Sequence, residues 1–331
     1  MSTIASSTSV STGLTNPVAL HAQPTFIVGS VRSGTTLLRL MLDHHPRIAF
    51  HFEFEFAVDQ VGADGSFPSI KDYHDYLSQH RVFLLSGGEI DERLDFSQLV
   101  NSFLEQKRSR EGKQIVGATV HHHIDRIPHV WPEAKYVHLL RDGRDVARSC
   151  SAMGWAGNMY HAVDRWIDAE HTWEQLKPTI PEERRIEVRY EDLIADTEET
   201  LARICDFLGT QFDPQIYDYA KTSTYDLPDA QLIEQWRRKL TDEQIQLAES
   251  RIAEMLTERG YPLSGLPRIT VSSAEKKRLA MQDRLWRARF RMRRYGLPLF
   301  ATDYVARRLP LESLRRSCLD KINDIDNSHI R

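Results

Sequence analysis

Thr25-Phe26-Ile27-Val28-Gly29-Ser30-Val31-Arg32-Ser33-Gly34-Thr35-Thr36-Leu37-Leu38 decides the fold of this chain. Four residues rich in apolar and β-branched side chains end at a glycine, as a buried strand does. From Thr35 onward, Leu37, Leu38, Met41 and Leu42 keep helical spacing until His45-Pro46 stops it. The joint between strand and helix reads as a phosphate cradle. Glycines permit a tight turn and a close backbone approach, and the amides at a helix start, assisted by the helix dipole, point at an anion. The spacing is that of a P-loop, with Thr35 where the lysine belongs and Arg32 added inside the loop. That lysine reaches the β- and γ-phosphates of a nucleoside triphosphate, so its absence weakens an ATPase or kinase reading.

Outward from this segment, buried strands are expected at 114–119, 136–140 and 186–190, with helices over 145–152, 159–176 and 197–208 between and after them. Strands alternating with helices predict a three-layer α/β domain over residues 24–267, a parallel sheet covered on both faces. The polar stretch 60–112, with helices near 71–79 and 97–108, is expected to wall or lid a substrate site. A basic helical extension is predicted over 268–331.

Composition narrows the class. The 331 residues are 41% apolar and 27% charged, and no apolar run approaches the ~18 residues of a membrane span. Cys150, Cys205 and Cys318 lie far apart and form neither a disulfide framework nor a zinc spacing, so no metal is expected and the thiols read as reduced. Residues 1–23 are rich in Ser and Thr, and the first Lys or Arg of the chain is Arg32. Secretory and transit signals both need early basic residues. The leader is therefore read as flexible and the protein as cytoplasmic. Charge divides unevenly: residues 1–267 carry 27 Lys/Arg against 40 Asp/Glu, and residues 268–331 carry 16 against 7. Within 276–294 there are nine basic residues and one acid, which makes contact with a membrane surface an option beside simple docking on the acidic body. Nucleic acid is not the expected partner.

A second motif follows the 136–140 strand: Arg141-Asp142-Gly143-Arg144-Asp145-Val146-Ala147-Arg148-Ser149. Arg141 falls at the carboxyl end of a strand, where open α/β sheets bind ligands. Ser149 lies about two helical turns further on, placed to face the same anion. Taken together, the two motifs resemble the sulfotransferase superfamily, which uses 3′-phosphoadenosine 5′-phosphosulfate (PAPS). Residues 24–46 resemble the 5′-phosphosulfate loop and 135–149 the 3′-phosphate site. Val188-Arg189-Tyr190-Glu191-Asp192-Leu193 and Phe207-Leu208-Gly209 extend the likeness, and the run from Arg32 to Leu37 is closer to the bacterial and tyrosylprotein branch.

The resemblance implies that Ser33, Gly34, Thr35 and Thr36 hold the 5′-phosphosulfate, that Arg141 and Ser149 hold the 3′-phosphate, and that Tyr190 lies near the nucleotide. Arg32 is the candidate cation for charge building on the bridging oxygen, and sulfuryl transfer requires no metal clamp. Two residues compete as general base. Glu53 matches the glutamate of the tyrosylprotein branch, and in His51-Phe52-Glu53-Phe54-Glu55-Phe56 the alternation puts both acids on one face, where like charge raises one pKa. His121 follows the 114–119 strand, where small-molecule members place a histidine after a lysine; here Gly117-Ala118-Thr119-Val120 contains no lysine. Arg237 and Lys239 are candidates for the family's C-terminal nucleotide clamp. The acceptor is expected to be a hydroxyl of a carbohydrate, small alcohol or peptide tyrosine. An atypical P-loop kinase and a non-catalytic nucleotide-binding module remain the alternatives.

Overall fold

The computed structural model describes residues 23–309 and 312–329; the leader expected over 1–23 lies, but for Gln23, outside them. In chain order the first half runs β1 (Thr25–Val28), α1 (Thr35–His44), β2 (Ile48–Glu53), α2 (Ile70–Leu77), α3 (Arg81–Ser86), α4 (Phe96–Glu111), β3 (Ile115–Val120), α5 (Ile127–Val130) and β4 (Lys135–Leu140). It continues with α6 (Gly143–Ala152), α7 (Met159–Ala162), α8 (Asp164–Leu176), β5 (Arg185–Arg189), α9 (Tyr190–Ala195), α10 (Thr197–Leu208) and α11 (Tyr219–Thr222). The last part is helical: α12 (Gln235–Lys239), α13 (Asp242–Glu258), α14 (Ser273–Tyr295), α15 (Leu297–Ala306) and α16 (Glu312–His329).

Among the described residues five strands form one parallel sheet in the order β2-β3-β1-β4-β5. The chain leaves central β1, passes through α1 to the edge at β2, and returns beside β1 as β3, while β4 and β5 extend the other side. That reversal is a topological switch point, so a crevice opens at the carboxyl end of β1.

Alternation along β1 builds the two faces. Phe26 and Val28 enter a core with α2, α4, α5 and Trp173 of α8, while Ile27 enters the opposite core with α1, α9 and α10. The expected three-layer α/β architecture is therefore the one found. A third apolar cluster, beyond the carboxyl end of β4, joins α6, α7, Trp166 and α13 to Leu279 of α14.

Three differences from the sequence reading have local causes. The helix expected over 159–176 is broken at Val163, which ends α7 and starts α8. Strand β2 was masked by its aromatic run and was read only in its last residues. Part of the 60–112 stretch is core: Leu99, Val100, Phe103 and Leu104 of α4 are buried under the sheet.

A polar network lies inside the layer between β4, β5 and α8. His138 is fully buried and stacks on Trp173 at 4.6 Å, with its ring nitrogens 3.3 Å from Glu187 and 3.4 Å from Glu170. Arg259 closes on Glu170 at 2.9 Å and Lys177 pairs with Glu187. Burial alone would lower the His138 pKa, but the two carboxylates outweigh it and hold it above the ordinary value. A raised histidine pKa contributes stability that is complete below about pH 6.5 and is lost as pH rises through the folded value. His138→Gln is expected to cost on the order of 3 kcal/mol at pH 6. Urea unfolding at pH 6 and pH 8 will show the gap between parent and variant narrowing at the higher pH; a constant gap refutes the ionised network.

Candidate active site

Each sheet strand delivers a candidate residue to the same edge. Beyond β1, the loop from Gly29 to Gly34 needs unusual backbone at Gly29 (φ 146°), Arg32 (φ 70°) and Gly34 (φ 96°). A Cβ on Gly34 would stand 2.3 Å from the Tyr190 ring, so the loop can lie against that tyrosine only with glycine there. Helix α1 then starts at Thr35 with no side chain capping it and no acid in its first turn. Its free amides face an anion unopposed. The Ser33 hydroxyl is buried without a hydrogen-bond partner among the described residues, which fits an oxygen-rich ligand in the loop.

The second motif meets the first directly. Arg32 Nε donates to Ser149 Oγ at 3.0 Å, across 117 residues of sequence. Arg141, at the end of β4, stacks 4.0 Å over Tyr190 and donates to the carbonyls of Arg32 (3.2 Å) and Leu232 (3.0 Å). Its Nε has no partner among the described residues. The side chain is thus a strut as well as a candidate ligand group. Sequence reasoning passed over Arg148, one position before Ser149 on α6. Burial lowers its pKa, as do the nearby charges of Arg141 and Arg32, while Asp145 pulls the other way. Three guanidinium groups therefore crowd one place. The buried carboxyl of Asp145 counters them while accepting the amides of Gln235 (3.2 Å) and Trp236 (2.7 Å). A dianion would relieve that excess of positive charge. The sequence signal for Arg148 was its spacing, two turns from Arg141 along the helix.

Arg144 is buried and has a different task. It pairs with Asp142 (2.7 Å) and Glu249 (2.6 Å) and lies 3.6 Å over Trp236, fixing α6 to α12 and α13. The expected clamp cations are locally engaged: Arg237 with Glu234 at 3.0 Å and Lys239 with Gln235 at 3.1 Å. Of the tryptophans near α6, Trp166 and Trp173 are core and Trp155 is partly exposed.

Both candidate bases stand at this edge, and the charge of Glu53 is felt at His121. Glu53 is the exposed last residue of β2. The alternation expected through Phe56 ends there, because Glu55–Ala57 turn into a 3-10 helix that buries Phe54 and Phe56. The raised pKa anticipated for this acid pair falls on Glu55, where burial, reinforced by Glu53, lifts the carboxyl to about 8. Glu55 accepts the His121 backbone amide at 2.8 Å. His121 follows the end of β3 in a loop, and its Nδ1 sits 3.1 Å from the Gly29 carbonyl. Burial lowers its pKa against the pull of Gly29 and Glu53, so the ring is neutral at pH 7. With Nδ1–H donated to Gly29, Nε2 holds the free lone pair. His122 and His123 follow His121, past the end of the strand, with His123 at φ 54°.

Comparison with known proteins gives the family. A family model described as "Sulfotransferase family" matches residues 24–214, more than half of the chain. The chain belongs to the sulfotransferase family. It is 25% identical over 214 residues to protein-tyrosine sulfotransferase A of Caenorhabditis elegans, a match covering 58% of this chain and 51% of that one. Protein-tyrosine sulfotransferase 2 of Gallus gallus is 24% identical over 207 residues, covering 58% and 52%. The chain thus spans about half the length of these curated relatives, and 27% of a longer uncharacterised relative from Aquifex aeolicus. Among solved structures, the sulfotransferase domain of the Synechococcus PCC 7002 olefin synthase superposes with a TM-score of 0.50 at 24% identity, over 70% of this chain and 96% of that domain. It shares the fold.

The Glu55 carboxyl gives the site a measurable pH signature. A carboxyl raised to about 8 in the folded state contributes stability that is complete below its unfolded value, near ~4.3, and is lost as pH rises through 8. Glu55→Gln keeps an acceptor for the His121 amide and removes the titration. The variant is expected to gain on the parent in chemical denaturation between pH 6 and pH 9; a parallel pH dependence of the two proteins would refute the buried neutral acid.

Proposed function

We propose that the protein moves a sulfuryl group from PAPS to a hydroxyl acceptor by in-line displacement. The observation that carries this reading is the joining of two anion-binding elements by one hydrogen bond, Arg32 to Ser149. One element, the uncapped start of α1 with the unpartnered Ser33 hydroxyl, suits the 5′-phosphosulfate through Ser33, Gly34, Thr35 and Thr36. The other, Arg141 and Ser149 with Arg148 beside them, suits the 3′-phosphate, and Tyr190 supports the nucleotide between. A donor charged at both ends fits such a pair, and the missing P-loop lysine matters little when no triphosphate chain must be held.

In the transfer step the acceptor oxygen bonds to sulfur as the bond from sulfur to the bridging phosphate oxygen breaks, and the acceptor proton passes to a base. The products are the sulfate ester and 3′-phosphoadenosine 5′-phosphate (PAP). Arg32, whose Nη groups carry no partner among the described residues, meets the charge that builds on the bridging oxygen. The stretch Gly117-Ala118-Thr119-Val120 contains no lysine, which leaves this role to Arg32. Glu53 takes the proton: it is exposed at the tip of β2, electrostatically next to His121. A second reading gives the proton to His121, because its ring is neutral with Nε2 unprotonated when Nδ1–H is held by Gly29. Residues 60–95, on the Glu53 side of the sheet and with exposed Leu84 and Leu85, form the acceptor wall. A carbohydrate, a small alcohol and a peptide tyrosine all meet the chemistry, and the named activity of the two tyrosine-sulfotransferase relatives puts peptide tyrosine first for assay.

Calorimetric titration tests the donor. PAP is expected to bind with micromolar affinity while ATP with magnesium gives no heat, and Arg141→Ala is expected to weaken PAP at least roughly tenfold, about 1.4 kcal/mol. Binding of ATP–magnesium alone would replace this reading with a kinase, and unchanged PAP affinity in the variant would remove Arg141 from the 3′-phosphate.

Turnover of a peptide or phenolic acceptor tests the base. Glu53→Gln is expected to lower kcat by ~10²–10⁴-fold with PAP affinity intact. Full turnover in that variant, with loss in His121→Asn, would transfer the role to His121.

A further inference from the structure

Helix α14 has two unlike sides. The inner side is fixed to the body at the loop that follows α6. Asp283 accepts the Gly157 amide at 2.8 Å, and the Leu279 carbonyl accepts Asn158 Nδ2 at 2.8 Å. Trp286 and Phe290 stack at 5.4 Å and cover the two loop glycines so closely that a Cβ would fall 2.3 Å from Phe290 at Gly154 and 2.7 Å from Trp286 at Gly157. Acids on this helix and its neighbours consume one set of its arginines: Arg287 pairs with Asp283, Arg291 with Asp303 and Arg294 with Asp326, each within 2.8 Å.

The outward side has no such partners. Met281 and Leu285, one turn apart, are 56% and 58% exposed, and Arg278, Arg289 and Arg293 flank them over a shallow concavity of about 680 Å³. Arg289 and Arg293 form no ion pair among the described residues, nor do the exposed Lys277 and Arg284 on the other flank. Arg278 meets only the exposed Glu275, at 3.3 Å. Between Leu279 and Tyr295 the helix contains one acid, Asp283, and it is buried on the inner side. An apolar strip bordered by free cations, on a helix 23 residues long, is what an interfacial helix presents to lipid: side chains enter the acyl boundary while guanidinium groups stay at the headgroups.

We propose that this face of α14 docks on an anionic lipid surface. The helix lies on the bilayer, and no described helix is long and apolar enough to cross one. Charge complementarity selects anionic headgroups. The exposed Met281 and Leu285 favour lipid over a nucleic acid, whose phosphate backbone offers apolar side chains no partner. An acidic protein face, including that of a second copy, is the competing occupant that the experiment addresses.

The full chain is sedimented with vesicles of phosphatidylglycerol in phosphatidylcholine and with phosphatidylcholine alone. Binding is expected to the first only and to fall as salt is raised. Arg278→Gln/Arg289→Gln/Arg293→Gln is expected to weaken it roughly a hundredfold, and Met281→Gln/Leu285→Gln at least roughly tenfold. The charge-keeping Arg278→Lys/Arg289→Lys/Arg293→Lys set retains binding, which separates lost charge from lost folding, and the unfolding midpoint of each variant is read alongside. Absence of binding to anionic vesicles, equal binding to both, or binding untouched by these variants would overturn the proposal. So would a short DNA duplex binding as tightly and independently of Met281 and Leu285. Self-association without lipid, abolished by the same variants in a protein that ignores vesicles, would assign the face to a second copy. PAP affinity, measured on the same samples, reports on the donor site separately.

Discussion

One guanidinium group ties the site together. Arg141 leaves the end of β4 buried, stacks on the tyrosine that opens α9, and gives its two terminal nitrogens to carbonyls of the loop after β1 and of residue 232. Its own carbonyl accepts the Trp166 indole at 2.9 Å. A buried cation is costly unless its donors are satisfied and opposite charge lies near. Here the planar fork of arginine satisfies its two terminal nitrogens, has Asp145 at 3.8 Å, and leaves its Nε open. Loop, sheet edge and the segment before α12 meet at that one side chain.

The electrostatics of the site follow from unequal burial. Positive charge collects at the start of α6, where Arg32, Arg141 and Arg148 outnumber the single buried Asp145. On the other side of β1, burial removes charge: it raises the Glu55 carboxyl and lowers the His121 imidazole, leaving Glu53 at the solvent-facing tip of its strand. In the proposed reaction an anion is drawn to one side and a proton acceptor stands on the other. Sulfuryl transfer needs that division, with the donor's charged ends held while a hydroxyl approaches opposite the leaving oxygen.

Much of this was legible in the chain. The strand, glycine loop and helix from Thr25 to His44 occur where their pattern put them, because a run of apolar β-branched residues, a pair of glycines and a 3.6-residue period are local signals. Strand β5 and helix α10 were read within a residue of their observed ends for the same reason. Glu55 was legible only as half of an acid pair. Its neutral state comes from the 3-10 turn that takes Phe54 and Phe56 inward, and no period-two pattern announces that turn. Strand β2 and the burial of α4 were hidden because an aromatic run and a polar, long helix each fit more than one environment.

What the sequence alone determined is the local structure: a glycine loop between a strand and a helix, an arginine at a strand end with a serine two turns on, and a basic helix near the end of the chain. Those are set by neighbours within a few residues, where backbone geometry leaves little freedom. Tertiary structure decided which groups are free to act. The contacts that bind Arg141 to two carbonyls, bring Glu249 to Arg144, and pair Arg294 of α14 with Asp326 join residues far apart in sequence, while the outward arginines of α14 are left open. The charge on a side chain is written in its chemistry. Whether that charge is neutralised depends on what the fold brings within about 4 Å of it.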